Sequence, residues 1–184
     1  MQSSSYGLAR VWERLLTATL VLALCALGVA PASAQSKYAS IVVDAGNGEV
    51  LYRANADDPK YPASLTKMMT LYLTFEAVQK KRIKLGQYFP ISRKAASQPP
   101  TKLNLKAGRK IRIEHAILGL VTKSANDASV VLAEAIGGTE EQFAEMMTMK
   151  ARMLGMRNTS FHNASGLPNS RQRTTARDIA TLSQ

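Results

Sequence analysis

A serine and a lysine stand three residues apart in the segment Ser64-Leu65-Thr66-Lys67. At the start of a helix, residues i and i+3 lie on the same face, so the Ser64 hydroxyl and the Lys67 amine can meet. A serine hydroxyl is a weak nucleophile until a base removes its proton, and lysine serves as that base when burial lowers its pKa toward neutrality. A Ser-x-x-Lys string arises by chance about once in a chain of this size. Taken alone, the Ser-x-x-Lys string is better explained by a serine that caps a helix and a lysine that faces water.

A second polar segment, Ser124-Ala125-Asn126, lies at a predicted junction between a loop and a helix. A second hydroxyl can relay a proton to a leaving amine, and an Asn side chain can hold a peptide carbonyl and N–H together. Alternatively, Ser124 or Asn126 caps the helix that follows. The two segments together are more specific than either alone. Ser-x-x-Lys, a Ser-x-Asn-type element and Lys-Thr-Gly form the motif set of penicillin-binding proteins and class A β-lactamases.

The elements that position these segments follow from hydrophobic spacing and turn residues. Alternating β-branched residues on both sides of a Gly-Asn-Gly turn predict a hairpin, and the segment 87–110, with its Pro and Gly residues, is predicted to be irregular. The predicted elements are the hairpin of Ala39–Asp44 and Glu49–Arg53 and helices over Ser64–Lys81, Ile113–Leu120, Ala125–Ile136, Thr139–Leu154 and from Thr175 onward, where Asp178 completes a capping box.

The composition excludes several classes of protein. Of the 184 residues, 46% are hydrophobic and 20% are charged, which is typical of a globular domain and not of a disordered chain. One Cys excludes a disulfide framework and a cysteine-rich zinc site, and two His argue against a His-based metal centre. The composition therefore argues against a metal centre built on Cys or His side chains.

The first 34 residues predict a signal peptide. The apolar run Leu15–Ala30 is followed by Pro31 and by Ala32-Ser33-Ala34, small residues of the kind that signal peptidase reads. The run is shorter than the ~20 residues that a membrane-spanning helix needs. We expect cleavage between Ala34 and Gln35, so that the mature chain, 35–184, is secreted across the cytoplasmic membrane. It would then reside in the periplasm or at the outer face of that membrane.

The formal net charge of +11 is concentrated in one stretch. Residues 80–123 contain twelve Lys or Arg and one acidic residue, Glu114. The stretch has only Tyr88 and Phe89 as stacking aromatics and carries no nucleic-acid motif. It therefore favours a basic face turned toward anionic envelope polymers or phospholipid headgroups, with peripheral membrane contact, over a nucleic-acid site.

From Tyr38 to Gln184 the sequence resembles the low-molecular-mass penicillin-binding proteins, the serine D-alanyl-D-alanine carboxypeptidases. The resemblance implies an α/β fold of the serine β-lactamase and DD-peptidase type, with helices packed on an antiparallel sheet. The segments that carry it are Ile41–Asp44, Pro62–Thr70, Ser124–Ala128, Leu132–Glu134, Leu154–Met156 with Thr159 and Phe161, Gly166–Pro168 and Thr175–Asp178.

The same resemblance implies a role for each site residue. Ser64 would attack the carbonyl of the penultimate D-alanine of a peptidoglycan stem peptide, and its backbone N–H would be one oxyanion donor. Lys67 would accept the Ser64 proton. Ser124 would pass a proton to the departing D-alanine, and Asn126 would hold the substrate backbone. β-Lactams would acylate Ser64 and so inhibit the enzyme.

One element of the family pattern is absent, since no Lys-Ser-Gly or Lys-Thr-Gly string occurs in the sequence. In the family this string lies on a later sheet strand, and the last helix pattern here runs to Gln184. We therefore expect 35–184 to be the N-terminal part of the catalytic domain. The sheet would be incomplete, with only its first hairpin present. Alone, this chain should show little or no carboxypeptidase turnover.

Three alternatives stay open. A class A β-lactamase shares the first two motifs, but its Glu-x-x-Leu-Asn loop is absent and Phe161–Pro168 reads differently. A non-catalytic module that binds cell wall or penicillin is the second alternative. A nucleic-acid-binding protein is the third.

Overall fold

The computed structural model describes residues 38–184. The predicted signal peptide, 1–34, and its cleavage site lie outside these residues. Within the described part, no helix is both long enough and apolar enough to cross a membrane.

The chain begins with the predicted hairpin, which the structure confirms. Strands β1 (Ser40–Val43) and β2 (Val50–Ala54) pair antiparallel. In the turn, the Asp44 carboxylate accepts hydrogen bonds from the backbone N–H groups of Gly46 and Asn47, at 2.8 Å and 3.1 Å. An aspartate that binds the amides two and three residues ahead stabilises a tight reversal of the chain.

A short 3-10 turn (Ala63–Leu65) leads directly into helix α1 (Thr66–Gln79). The predicted helix over Ser64–Lys81 is therefore confirmed in its body and differs at its start, because Ser64 lies in the tighter turn. Lys67 falls in the first turn of α1 and belongs to its buried face. The change of helix type places the serine at the surface and the lysine inside.

The prediction of an irregular segment over 87–110 is confirmed for residues 97–109, which form no helix or strand, and is wrong at both ends of the segment. Strand β3 (Tyr88–Pro90) pairs antiparallel with strand β4 (Lys110–Arg112), and the short helix α2 (Arg93–Ala96) lies between them. Three-residue strands are too short to show a convincing alternation in sequence. Pro90 lacks a backbone N–H group. A proline is tolerated at the end of an edge strand, but in a sequence it is more typical of a loop.

Four more helices complete the described chain, and they confirm the predicted ones with ends shifted by up to three residues. They are α3 (Ile113–Lys123), α4 (Asn126–Gly137), α5 (Glu140–Met153) and α6 (Ala176–Ser183). Helix α4 is buried without interruption from its first residue to Ala133. Helices α1, α3 and α5 pack against it. A helix that is buried on all sides is the centre of a core.

Two apolar clusters share α4 as their common wall. The first joins α4 to α3, β4 and the end of α1, through Ile113, Leu120 and Val131 among others. The second joins α4 at Ala133 to Met69 of α1 and to the face of α5 that carries Phe143 and Met147. Because α1 is fixed by both clusters, the turn that carries Ser64 is attached to the rigid part of the fold.

The predicted capping box at α6 is only half formed. The Thr175 hydroxyl accepts from the Asp178 backbone N–H at 3.1 Å, as expected for a cap. The Asp178 carboxylate accepts instead from the Asn158 backbone N–H and the Thr159 hydroxyl, at 2.8 Å and 2.7 Å. The correction has a physical reason: Asp178 is buried, so its charge is matched by donors from another part of the chain.

Candidate active site

The structure brings Ser64 and Lys67 together. Lys67 Nζ lies 3.5 Å from Ser64 Oγ and 2.5 Å from the backbone carbonyl oxygen of Ser165. The Ser64 residue is exposed, whereas Lys67 is only 5% exposed. The lysine therefore does not face water, and a hydroxyl open to ligands lies next to a buried amine.

Burial changes the acid–base chemistry of this lysine. Removing the ammonium group from water lowers the pKa of Lys67 from 10.5 to about 8. At pH 7 about one molecule in ten then carries a neutral amine there, roughly 300 times more than with the ordinary pKa. A neutral amine beside a hydroxyl is the arrangement that general-base catalysis requires.

The Ser165 carbonyl is a partner that the sequence analysis missed. It lies in the loop 161–168, nearly one hundred positions after Lys67 in the chain. The Asn163 side chain shapes this loop by accepting from the backbone N–H groups of Ser165 and Gly166, at 3.2 Å and 2.7 Å. The available signal was Asn163 followed three residues later by Gly166, which is typical of a side-chain-stabilised turn.

Gly166 packs directly against the turn that carries Ser64. Its φ of +85° lies in the left-handed region, and a Cβ at this position would overlap the carbonyl oxygen of Ala63. Ala63, immediately before the serine, also has a left-handed backbone, with φ of +47°. That conformation costs an alanine about 1 kcal/mol. The contact with Gly166 thus supports a strained residue next to the exposed hydroxyl.

Ser124 lies between two helices. It ends α3 with a left-handed backbone (φ 53°, ψ 40°), and its carbonyl accepts from the Thr101 hydroxyl at 3.0 Å. Within residues 38–184, no hydrogen bond joins the Ser124 hydroxyl to Ser64 or Lys67. The residue before α4 is Ala125, which offers no side-chain cap, so neither Ser124 nor Asn126 is the helix cap considered above.

Asn126 is the first residue of α4 and holds a neighbouring loop. Its backbone N–H donates to the Thr101 carbonyl at 2.7 Å. Its side-chain NH₂ donates to the carbonyls of Pro99 and Pro100, at 3.0 Å and 3.2 Å. The side-chain amide therefore binds backbone carbonyls of its own chain, and these contacts fix the loop beside Ser124.

Asp127 also holds the loop 99–105 to the start of α4. It is a second residue that the sequence analysis missed. Its carboxylate is fully buried and accepts from the backbone N–H groups of Leu103 and Leu105, at 2.9 Å and 3.0 Å. A carboxylate in the first turn of a helix is favoured by the helix dipole. Its position directly after Asn126 was the only available signal.

Two cavities flank the Ser64 turn. One, of about 480 Å³, lies between β1, the segment Lys60–Leu65 and α6. The other, of about 440 Å³, is lined by Tyr61, Ala63 and residues from Gly166 to Gln172. Both are mostly apolar and open to solvent. In the part of the chain that the structure describes, no three His, Cys, Asp or Glu residues are grouped to hold a metal ion.

Comparison with solved structures identifies the fold. The crystal structure of the D-alanyl-D-alanine carboxypeptidase DacD from Francisella tularensis superposes with a TM-score of 0.77 and 39% identity, over 79% of this chain and 35% of that one. Penicillin-binding protein D2 from Listeria monocytogenes, in its ampicillin-bound form, gives a TM-score of 0.65 and 31% identity, over 79% and 59%. The chain therefore has the α/β fold of penicillin-binding proteins, as the family resemblance implied.

Comparison of sequences identifies the family. A family model described as D-alanyl-D-alanine carboxypeptidase matches residues 27–184. The carboxypeptidase DacF of Bacillus subtilis is 34% identical over 184 residues, which is 94% of this chain and 47% of DacF. The chain spans less than half the length of this relative. It belongs to the D-alanyl-D-alanine carboxypeptidase family.

The close approach of Gly166 to Ala63 yields a stability prediction. We expect Gly166→Ala to lower the free energy of unfolding by about 3 kcal/mol, because left-handed strain adds to a steric overlap that only a backbone shift can relieve. Urea unfolding followed by circular dichroism measures the loss.

Gly155→Ala is the matched control, since Gly155 has φ of +86° and no atom within 4 Å of an added Cβ. It should cost about 1 kcal/mol. Equal losses for the two variants would show that Gly166 is not in close contact with the Ser64 turn.

Proposed function

We propose that this chain carries the nucleophile and base of a serine D-Ala-D-Ala carboxypeptidase, which removes the terminal D-alanine from peptidoglycan stem peptides. The observation that carries the proposal is the buried Lys67 amine, with its lowered pKa, 3.5 Å from the exposed Ser64 hydroxyl. Membership of the carboxypeptidase family supports it.

In the proposed reaction, Lys67 Nζ takes the Ser64 proton while Ser64 Oγ attacks the carbonyl carbon of the penultimate D-alanine. The negative charge that develops on the carbonyl oxygen is met by the Ser64 backbone N–H, one oxyanion donor. The tetrahedral intermediate then expels the nitrogen of the last D-alanine, which receives a proton. Water hydrolyses the resulting ester and regenerates the Ser64 hydroxyl. No cofactor takes part in these steps.

In the proposed reaction, Ser124 acts on the leaving group and Asn126 binds the substrate. Ser124 lies on a left-handed turn that Thr101 fixes by a hydrogen bond, so its hydroxyl is held on a rigid support. In this scheme it passes the proton to the departing amine. Because the Asn126 NH₂ group already binds two backbone carbonyls, its side-chain oxygen is the atom assigned to a substrate N–H.

β-Lactams are the proposed inhibitors, since the similar Listeria protein is described with ampicillin bound. The substrate places the reaction outside the cytoplasmic membrane. We accordingly propose an exported protein, in the periplasm or at the outer face of that membrane, with residues 1–34 as its signal peptide.

Covalent labelling by a fluorescent penicillin tests the assignment of nucleophile and base. We expect one adduct per chain, mapped to Ser64 by peptide mass spectrometry and lost in Ser64→Ala. Lys67→Met should slow labelling by about 10²–10⁴-fold, because the serine loses its base. Lys81→Met, a change at an exposed lysine just beyond α1, should label at the wild-type rate.

Other results of this experiment would favour other functions. No adduct at Ser64 would refute the proposal and favour a non-catalytic cell-wall module. Rapid turnover of nitrocefin, in place of a lasting adduct, would identify a β-lactamase.

We further propose that the basic stretch 80–123 contacts anionic phospholipid headgroups. Arg82, Lys84 and Lys106 are exposed, and none of the three has a carboxylate partner among residues 38–184. Unpaired surface cations add about 1 kcal/mol each to binding at an anionic membrane.

Vesicle sedimentation tests this surface. The chain should bind phosphatidylglycerol vesicles more tightly than phosphatidylcholine vesicles, and Arg82→Glu with Lys84→Glu should weaken the binding about thirty-fold or more. The control pair Arg157→Glu with Arg171→Glu makes the same change in net charge at exposed residues outside the stretch. Equal loss in both pairs would show that only net charge matters. Salt-sensitive binding to DNA with no binding to vesicles would favour a nucleic-acid partner.

A further inference from the structure

Glu140 is a buried carboxylate that is hydrogen-bonded to neither Ser64 nor Lys67. It is the first residue of α5 and is only 7% exposed. Its Oε2 lies 2.8 Å from Lys94 Nζ. Its Oε1 accepts from the backbone N–H of Ala164 at 3.1 Å. A charged side chain thus connects a lysine of α2 to the backbone of the loop 161–168.

The same peptide segment is held from its other side by α1. The Thr70 hydroxyl donates to the Ala164 carbonyl at 2.7 Å, and Thr70 follows Lys67 by about one helical turn. The carbonyl of the next residue, Ser165, receives the Lys67 amine. Glu140 and Thr70 therefore hold Ala164 at its N–H and its C=O, one residue before the carbonyl that meets Lys67. The Asn163 side chain holds the Gly166 N–H of the same peptide as that carbonyl.

Among the described residues, no carboxylate forms an ion pair with Lys67. Within residues 38–184, its hydrogen-bond partners are the Ser64 hydroxyl and the Ser165 carbonyl, both uncharged. The ionisable groups beside the loop include Glu140 and Glu141, both paired with Lys94, and His162, whose pKa is lowered by burial and by the positive charge of Arg171. The protonation state of Lys67 thus depends on how well the loop 161–168 excludes water from its amine.

We propose that Glu140 is a positioning residue for Lys67: it holds the Ala164–Ser165 backbone so that the Ser165 carbonyl binds the amine and the loop excludes water. The consequence for catalysis rests on the proposed function of Ser64 and Lys67. The consequence for the amine itself does not.

The test is a titration of Lys67 in Glu140→Ala, followed by NMR of lysine labelled with ¹³C at Cε. The Lys67 signal is assigned by its loss in Lys67→Met. Without Glu140 the loop loosens and water reaches the amine, so we expect the pKa of Lys67 to rise by about one unit. At pH 7 the neutral amine then becomes about nine times rarer, and penicillin labelling of Ser64 should slow by a similar factor.

Two variants separate positioning from general stability. Glu141 also binds Lys94, at 2.6 Å, but its side chain is 72% exposed and, within residues 38–184, forms no hydrogen bond to the backbone of the loop. Glu141→Ala should leave the pKa of Lys67 unchanged. Glu140→Gln keeps an oxygen acceptor for the Ala164 N–H and should restore a value near that of the wild type.

Each result of the titration either supports or overturns the positioning role of Glu140. A pKa of Lys67 that is unchanged in a folded Glu140→Ala chain would overturn the proposal, even if the chain is less stable. If that variant does not fold, Thr70→Val removes the other hydrogen bond to Ala164 with little change of shape, and it must raise the pKa of Lys67 for the proposal to stand. A raised pKa in a chain whose Ser64 never labels would uphold the positioning role and refute the proposed function.

Discussion

Burial of one amine is the constraint on which the rest of the site depends. A lysine in water is protonated and cannot take a proton from serine, whereas Lys67 is 5% exposed and has a pKa of about 8. The amine is covered by a loop whose backbone carbonyl meets it at 2.5 Å. An uncharged partner satisfies the amine without holding it in the charged form as firmly as a carboxylate would.

The fold supplies this cover through polar side chains anchored on helices. Asp127 holds the loop 99–105 to the start of α4, and Glu140 holds the loop 161–168 to the start of α5. Both carboxylates lie in the first turn of a helix, where the helix dipole stabilises negative charge. Each loop thus has one buried acidic anchor, and the loop 161–168 supplies the carbonyl that meets the Lys67 amine. The helices, packed on α4, give these anchors a rigid base.

The sequence could predict those features that depend on residues close together in the chain. The i, i+3 spacing places Ser64 and Lys67 together, and alternating or helical patterns gave the hairpin and the long helices. The Ser165 carbonyl could not be foreseen, because every residue has a carbonyl and this one lies nearly one hundred positions from its partner. Strands β3 and β4 escaped detection because three residues carry too little pattern. The carboxylates of Asp178 and Glu140 bind donors from distant segments, which cap rules do not describe.

The pH dependence of Ser64 acylation tests most directly whether neutral Lys67 is the base. The rate constant for labelling by a fluorescent penicillin should rise with pH, since the fraction of deprotonated amine grows as the pH passes the lysine pKa. Half of the maximal rate is expected near pH 8, the value that burial gives to Lys67. A rate that is flat between about pH 6 and pH 10, or half-maximal only above about pH 10, would contradict a buried amine as the base.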